Sequence, residues 1–366
     1  MDQSIPLSYN PIDSIELERV LTKYQDRNHS NIVSDFENKI ADLTGSHYVV
    51  AVNSGTAALH LSLKALQVQE NDEVLTSTFT YVGSVNPILY ERAIPVFIDS
   101  EMITWNMDPE LLEKAILESN QKPKAILVVH SYGMPANMDA LLNISKKYGI
   151  PILEDAAEAI GSIYKGKHLG TLGDIGVLSF NNNKIITTYG GGAVLTGNES
   201  VYNKIKHWAS QSRENKPYYE HREIGYNYRM GSINAAAGLV SLKDFKGRIE
   251  SSRQKFNRYR DQLNSINDFH FNSEPDEYYS NRWLSTMRVA KEGLDIERLI
   301  NFLKIDGVET RPFWNPMHKQ PVFDRFPSYL NGNAELLFRD GICLPSSFHF
   351  TESQQNRVID LLRMFS

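Results

Sequence analysis

The chain has 366 residues, of which 41% are hydrophobic, 22% charged and 10% aromatic, and its net charge is -6. That length exceeds one ordinary core, so two domains, or one large domain with an appendage, are expected. The mild acidity excludes the basic face that nucleic acid requires, and the single cysteine, Cys343, excludes an internal disulfide framework or a cysteine-built zinc site.

Cysteine scarcity also fits a reducing cytoplasm. The start, Met1-Asp-Gln-Ser-Ile-Pro, has neither a basic nor an apolar signal region, and no window holds about 18 uninterrupted apolar residues. A cytoplasmic protein without a membrane or nucleic-acid partner is expected. An anionic substrate stays possible, because a site can be locally basic on an acidic protein.

In chain order, Tyr48-Val-Val-Ala-Val52 reads as a strand that Asn53-Ser-Gly-Thr56 breaks. Two apolar rows follow, Ala58, Leu61 and Ala65 beside Leu59, Leu63 and Leu66, which predict a helix buried on a sheet. Glu73-Val-Leu75, Ile94-Pro-Val-Phe-Ile98, Ala125-Ile-Leu-Val-Val129, Pro151-Ile-Leu153 and Gly176-Val-Leu-Ser-Phe180 continue the rhythm. They are short, β-branched and mostly non-alternating, as strands covered on both faces are, so a mostly parallel sheet in an α/β core is predicted. The polar and aromatic loop Ser212–Tyr226 lacks periodicity. Near Lys243 the character changes. A charged helix is expected over Asp244–Asn267, then a strand in Trp283–Val289 and helices over Ile296–Leu303 and Glu352–Phe365. The expected division is a large domain over 12–245, a smaller C-terminal α+β domain over 246–366, and an N-terminal arm over 1–11.

Four places can carry chemistry. Lys184 lies between a predicted buried strand and Gly190-Gly-Gly192. A lysine held away from water is more readily the neutral amine that forms a Schiff base; an ordinary loop lysine beside a glycine turn is the competing reading. Asp155 ends the strand Pro151-Ile-Leu-Glu-Asp155, at the sheet edge where open parallel sheets bind ligands. There it can hold a protonated ring nitrogen, or merely cap a helix starting at Ala156. Ser54-Gly-Thr56 has the makeup of a phosphate cradle at a helix start, although Ser and Thr also simply cap helices. Tyr81 follows another strand end and can stack on a flat ring, or be a rim aromatic. His60, His207 and His318 show no metal-ligand spacing, and no metal is assigned.

The ordered set Ser54-Gly-Thr-Ala57, Thr80-Tyr-Val82, His130-Ser-Tyr-Gly133, Glu154-Asp-Ala-Ala-Glu158, Gly173–Phe180, Lys184 and Gly225-Tyr-Asn-Tyr-Arg-Met230 resembles the DegT/DnrJ/EryC1/StrS family of pyridoxal-phosphate-dependent nucleotide-sugar aminotransferases. The likeness runs from about Phe36 to Pro345. It implies the aspartate-aminotransferase fold (fold type I) and pyridoxal 5'-phosphate as cofactor. By the same resemblance Lys184 matches the lysine that holds the cofactor, Asp155 the partner of the ring nitrogen, and Glu158 a neighbour of the ring's phenolic oxygen. Tyr81 matches the stacking aromatic, and Gly55, Thr56 and Ser179 the phosphate binders. Asn227 matches an asparagine that reaches the phosphate in the neighbouring subunit, which implies a homodimer with shared sites.

Finer likenesses narrow the branch. Asn181–Thr188, with Asn183 before the lysine, is similar to 4-aminotransferases of UDP-linked 4-keto-6-deoxy-N-acetylhexosamines. Asn281-Arg-Trp-Leu-Ser285, Glu309–Trp314, Met317-His318 and Tyr329–Asn333 also look like that branch. The chain departs from many relatives after the lysine, with Tyr189-Gly-Gly-Gly192 where they read Gly-Glu-Gly-Gly. The implied reaction is ping-pong: L-glutamate loads the cofactor, and the amine passes to C4 of a nucleotide-linked keto sugar, UDP-linked or, as in perosamine synthesis, GDP-linked. Arg311 and His318 are expected to meet the donor carboxylate or sugar diphosphate, the alternative being a surface ion pair and a packed histidine. A sugar dehydratase of the same fold would carry histidine at Lys184. A dinucleotide-dependent reductase or epimerase would need Gly-x-Gly-x-x-Gly after the first strand, which is absent. A non-catalytic relative would not be expected to keep both Lys184 and Asp155.

Overall fold

The computed structural model describes residues 4–25, 30–266, 268–290 and 295–365. Among these, one eight-stranded sheet forms the centre, in the order Tyr48–Val52, Gly192–Thr196, Ile175–Ser179, Ile152–Asp155, Ala125–Val129, Glu73–Ser77, Ile94–Ile98 and Ser328–Tyr329. Every pairing is parallel except those of Gly192–Thr196, which runs against both neighbours.

The apolar runs lack alternation because both faces are covered. Val49, Ile126, Ile152 and Leu178 enter the core on one side, and Val50, Leu127, Leu153 and Val177 the core on the other. Neighbouring side chains point to opposite faces, so a strand buried twice must be apolar throughout. Helices supply the covers. Gly55–Ala65 starts at Ser54, whose hydroxyl accepts from Ala57 N–H at 3.0 Å. Met138–Tyr148 starts at an Asn137 cap and ends at Gly149, left-handed at φ 62°.

Two features of the sheet were not expected. Gly192–Thr196 is a full strand, although its glycine start reads as a turn. Ser328–Tyr329, far along the chain, closes the other edge against Phe97 and Ile98.

The C-terminal region builds a four-stranded sheet, Phe269–His270, Ser285–Val289, Gly341–Leu344 and Arg311–Pro312 in spatial order. Helices Phe245–Leu263, Ile296–Ile305 and Glu352–Phe365 accompany it, and the core they share includes Met287, Leu299, Leu303, Ile342 and Leu362. The expected charged helix therefore ends at Leu263, and its projected last residue, 267, lies outside the described residues. Ile5, from the N-terminal arm, is buried in this same core; residues 1–3 of that arm are outside the described set. Among the described residues no helix is long and apolar enough to cross a membrane.

Candidate active site

The carboxyl ends of the parallel strands open onto one cleft of about 510 Å³, a volume suited to a cofactor and small substrate. Eight residues singled out from sequence line it: Gly55, Thr56, Tyr81, Asp155, Glu158, Ser179, Asn183 and Lys184. Asn227, Arg311 and His318 do not line it. Asn227 is exposed, and its carbonyl accepts from Asn53 Nδ2 at 3.2 Å. Arg311 is exposed and pairs with Glu309 at 2.6 Å. His318 is packed, its Nδ1 2.7 Å from Thr78 Oγ1 and its Nε2 3.2 Å from Glu335. Both thus make the contacts of a surface ion pair and a packed histidine.

Alternation along Ile152–Asp155 sends its two acids to opposite sides. Glu154 turns inward, fully buried. It accepts N–H bonds from Gly170 (2.9 Å), Leu172 (2.7 Å) and Gly173 (2.6 Å). Ala136 N–H donates to His130 Nδ1 at 3.1 Å, which leaves Nε2 to donate to Glu154 at 3.0 Å. Burial pushes the Glu154 carboxyl up, but the His130 hydrogen bond and the glycine N–H groups outweigh it and hold the carboxyl below its ordinary range.

Asp155 turns to the cleft. No helix follows it. The chain turns at once, with Ala159 N–H returning to Ala156 O at 2.9 Å, so helix capping is not its task. Its carboxylate takes Ser84 Oγ–H at 2.7 Å and Ala157 N–H at 3.1 Å, and Thr80 Oγ1 lies 2.7 Å behind Ser84. Burial raises Asp155, offset only in part by these donors and by the charge of Lys184. The site therefore wants a further cation or N–H donor at this carboxylate.

Lys184 Nζ lies 3.2 Å from Glu158 Oε1 and 3.8 Å from the centre of the Trp283 ring. Glu158 Oε2 accepts from Tyr132 N–H at 2.8 Å, and Asn281 Nδ2 grips the Glu158 carbonyl at 2.8 Å. Asn281 fits because position 133 is glycine: at φ 82°, a Cβ there would stand 1.9 Å from Asn281 Oδ1. Burial pushes Glu158 up to about 7, against the Lys184 charge, the Tyr132 N–H and the Lys184 hydrogen bond, and Asp155 adds to the rise.

An acid whose folded pKa is raised contributes stability while protonated. That contribution is lost as pH rises from the ordinary carboxylate value of 4.5 through about 7. For cofactor-free protein, urea unfolding is expected to show stability falling by a few kcal/mol across this window, and Glu158→Gln to reduce the slope. An unchanged slope in the variant would remove Glu158 as its cause.

Trp283 and Trp314 also line the cleft, with Trp314 stacked on Tyr132 at 4.3 Å between centroids. They come from the C-terminal region. Sequence reading missed their role, although both stand in motifs noted above; an aromatic inside an otherwise polar motif was the available signal. Gly190 and Gly191 line the rim beside exposed Tyr189, which is left-handed at φ 64°.

The cleft suits a flat, phosphorylated, cationic ring. Gly55 and Thr56 open a helix whose first N–H groups have no intrahelical partner. A Cβ on Gly55 would stand 3.2 Å from Ser179 Cβ, tighter than ordinary contact, so glycine keeps that turn uncrowded. Tyr81 is 61% exposed over the cleft, and Asn183 Oδ1 is buried without a partner. Among the described residues no group of acids, histidines or cysteine is placed to hold a metal.

Comparison with known proteins agrees with this architecture. EpsN of Bacillus subtilis (strain 168), named for a pyridoxal phosphate-dependent aminotransferase activity, is 44% identical over 338 residues, 90% of this chain and 87% of EpsN. GDP-perosamine synthase of Escherichia coli O157:H7 is 39% identical over 319 residues, 86% of this chain and 85% of the synthase. The crystal structure of DesI in the presence of its TDP-sugar product superposes with a TM-score of 0.91 at 26% identity, covering 100% of this chain and 93% of DesI. The aspartate-aminotransferase fold is thus the fold of this chain. A family model matches residues 13–363, and the chain belongs to the DegT/DnrJ/EryC1/StrS aminotransferase family.

Proposed function

We propose that the protein is a pyridoxal-phosphate-dependent aminotransferase that moves the amino group of L-glutamate to C4 of a nucleotide-linked 4-keto-6-deoxy sugar. The observation that carries the reading is the convergence of Lys184, Glu158 and Asp155 beneath the Gly55–Thr56 helix start. When bound, the cofactor supplies an electron sink that stabilises negative charge at the reacting carbon.

The chain's own groups do the rest. Gly55, Thr56 and Ser179 would hold the phosphate, and Tyr81 would cover the ring face. Asp155 keeps the ring nitrogen protonated, an assignment supported by its burial and its lack of a strong cationic partner. Lys184 is the one lysine among the described residues that line the cleft. Its amine would hold the cofactor and, once freed, would be the base that takes up and returns the proton of the donor α-carbon. Glu158 and the Trp283 face steady its cationic form. Asn227, exposed and outside its own cleft, reaches the phosphate of a second copy, so the working unit is a homodimer with shared sites.

A UDP-linked N-acetylhexosamine is the favoured substrate, on the likeness of the Asn181–Thr188 stretch. A GDP-linked sugar is the second reading, favoured by the 39% identity to a GDP-perosamine synthase. Purified protein incubated with pyridoxal phosphate is expected to be yellow, and borohydride to fix the cofactor to Lys184. UDP-, GDP- and dTDP-4-keto sugars offered with glutamate then separate the two readings by which product forms. Amination of a 3-keto sugar alone would refute the C4 assignment.

A further inference from the structure

The peptide that carries Lys184 belongs to no helix or strand, so its carbonyls need partners from elsewhere. They find them far away in sequence. Asn183 O accepts from Ser8 Oγ at 2.8 Å and from Trp283 Nε1 at 2.8 Å. Lys184 O accepts from Asn10 Nδ2 at 2.9 Å, in a buried bond. Arg248 stands behind them, 3.5 Å from Ile185 O and 3.3 Å from Pro11 O. Two successive carbonyls flanking the reactive side chain are thus held by the N-terminal arm.

The arm is anchored on its other side. Ile5 N–H donates to Gly307 O at 2.8 Å, and Glu309 N–H returns to Ile5 O at 2.9 Å. Leu7 N–H donates to Glu309 Oε2 at 3.1 Å, and Leu7 O accepts from Ser346 N–H at 2.7 Å. Tyr9 N–H donates to Ser347 Oγ at 2.9 Å. Pro6 O also accepts from Ser347 Oγ at 3.1 Å, so the backbone of residues 5–9 is held by the C-terminal region while the side chains of Ser8 and Asn10 serve the lysine loop.

We infer that Ile5–Asn10 is a positioning strap for Lys184, with Ser8 and Asn10 the positioning residues and the C-terminal sheet region the anchor. The inference rests on the reading of Lys184 as the reacting amine. With both carbonyls held, the peptide planes on either side of Lys184 cannot rotate, so its side chain leaves the backbone in one direction. Displacement of residues 307–309 or 346–347 is transmitted through the arm to that peptide. Neither Ser8 nor Asn10 lines the cleft.

The test uses Ser8→Ala, Asn10→Ala, the double variant and Ser8→Thr, which keeps the hydroxyl. The double variant is expected to lose about 10- to 100-fold in kcat, with KM for both substrates changed by less than about threefold. The pH midpoint of the lysine–cofactor absorbance band is expected to move by about half a unit or more, and Ser8→Thr to stay near wild type. In protein prepared without cofactor, hydrogen exchange across residues 181–188 is expected to quicken. Wild-type kcat and midpoint in a folded double variant overturn the proposal, as does a lowered Tm with both unchanged. Should the double variant not fold, Asn10→Ala decides by the same measurements, because it removes the bond to Lys184 O while Ser8 and Trp283 still hold Asn183 O. Borohydride labelling of wild type keeps the two readings apart. Label away from Lys184 removes the functional reading and the strap with it, whereas label on Lys184 with unaltered variants removes the strap alone.

Discussion

Lys184→Ala is expected to lower kcat by at least about four orders of magnitude, because it removes both the group that holds the cofactor and the group that moves the proton. Truncation also leaves buried Glu158 without its ion-pair partner, so Tm is measured beside activity to separate lost folding from lost chemistry. Borohydride then fixes no cofactor at this position. Lys184→Arg keeps a cation near Glu158 and the Trp283 ring and should be equally inactive, which separates the lost amine from the lost charge. Steady-state amino transfer from glutamate measures both. If sites are shared, mixing Lys184→Ala with Asn227→Ala subunits restores roughly a quarter of wild-type activity, because half of a random mixture is heterodimer with one intact site of two. No recovery on mixing would count against the shared site.

Glu154→Ala is expected to destabilise the fold by about 3–5 kcal/mol, although Glu154 faces away from the cleft. Its carboxylate, itself fully buried, satisfies the N–H groups of Gly170, Leu172 and Gly173 and the proton of His130; the Gly170 and His130 bonds are buried and the other two half-buried. Truncation leaves the buried donors without a partner. Glu154→Gln fares only partly better, since its amide N–H₂ must face donors. Because Glu154 is held below the ordinary carboxylate range, its contribution is present above that range and is lost as pH falls through its lowered folded value. Denaturant midpoints of the variant and wild type, compared at neutral and acid pH, test this. Equal midpoints at neutral pH would show that the donors find other partners.

The two acids of Ile152–Asp155 show how far the chain text reaches. A carboxylate at the end of a short apolar run was readable as a ligand for the cleft, and Asp155 does line it. The neighbouring Glu154 looked equivalent on paper. Its role appeared only with the loop at 170–173, which no local pattern connects to it.

The same limit explains the residues placed outside the cleft. Arg311 and His318 carry the right chemistry for anions; in the structure Arg311 pairs with Glu309, and His318 meets Thr78 and Glu335. Trp283 and Trp314 reach the cleft from the C-terminal region. Ser8 and Asn10 reach the lysine loop across 175 and 174 residues of chain.

Lys184 itself marks the boundary. Alternation, apolar runs and turn residues are local, and by themselves they determined a doubly covered parallel sheet, its helices, and the strand ends where a lysine, an acid and a phosphate turn stand. Which of those groups meet, which face each acid takes, and what grips the lysine peptide were decided by the tertiary structure alone. These are contacts between distant segments, and their energies depend on burial and partner geometry, which do not exist until the chain has folded.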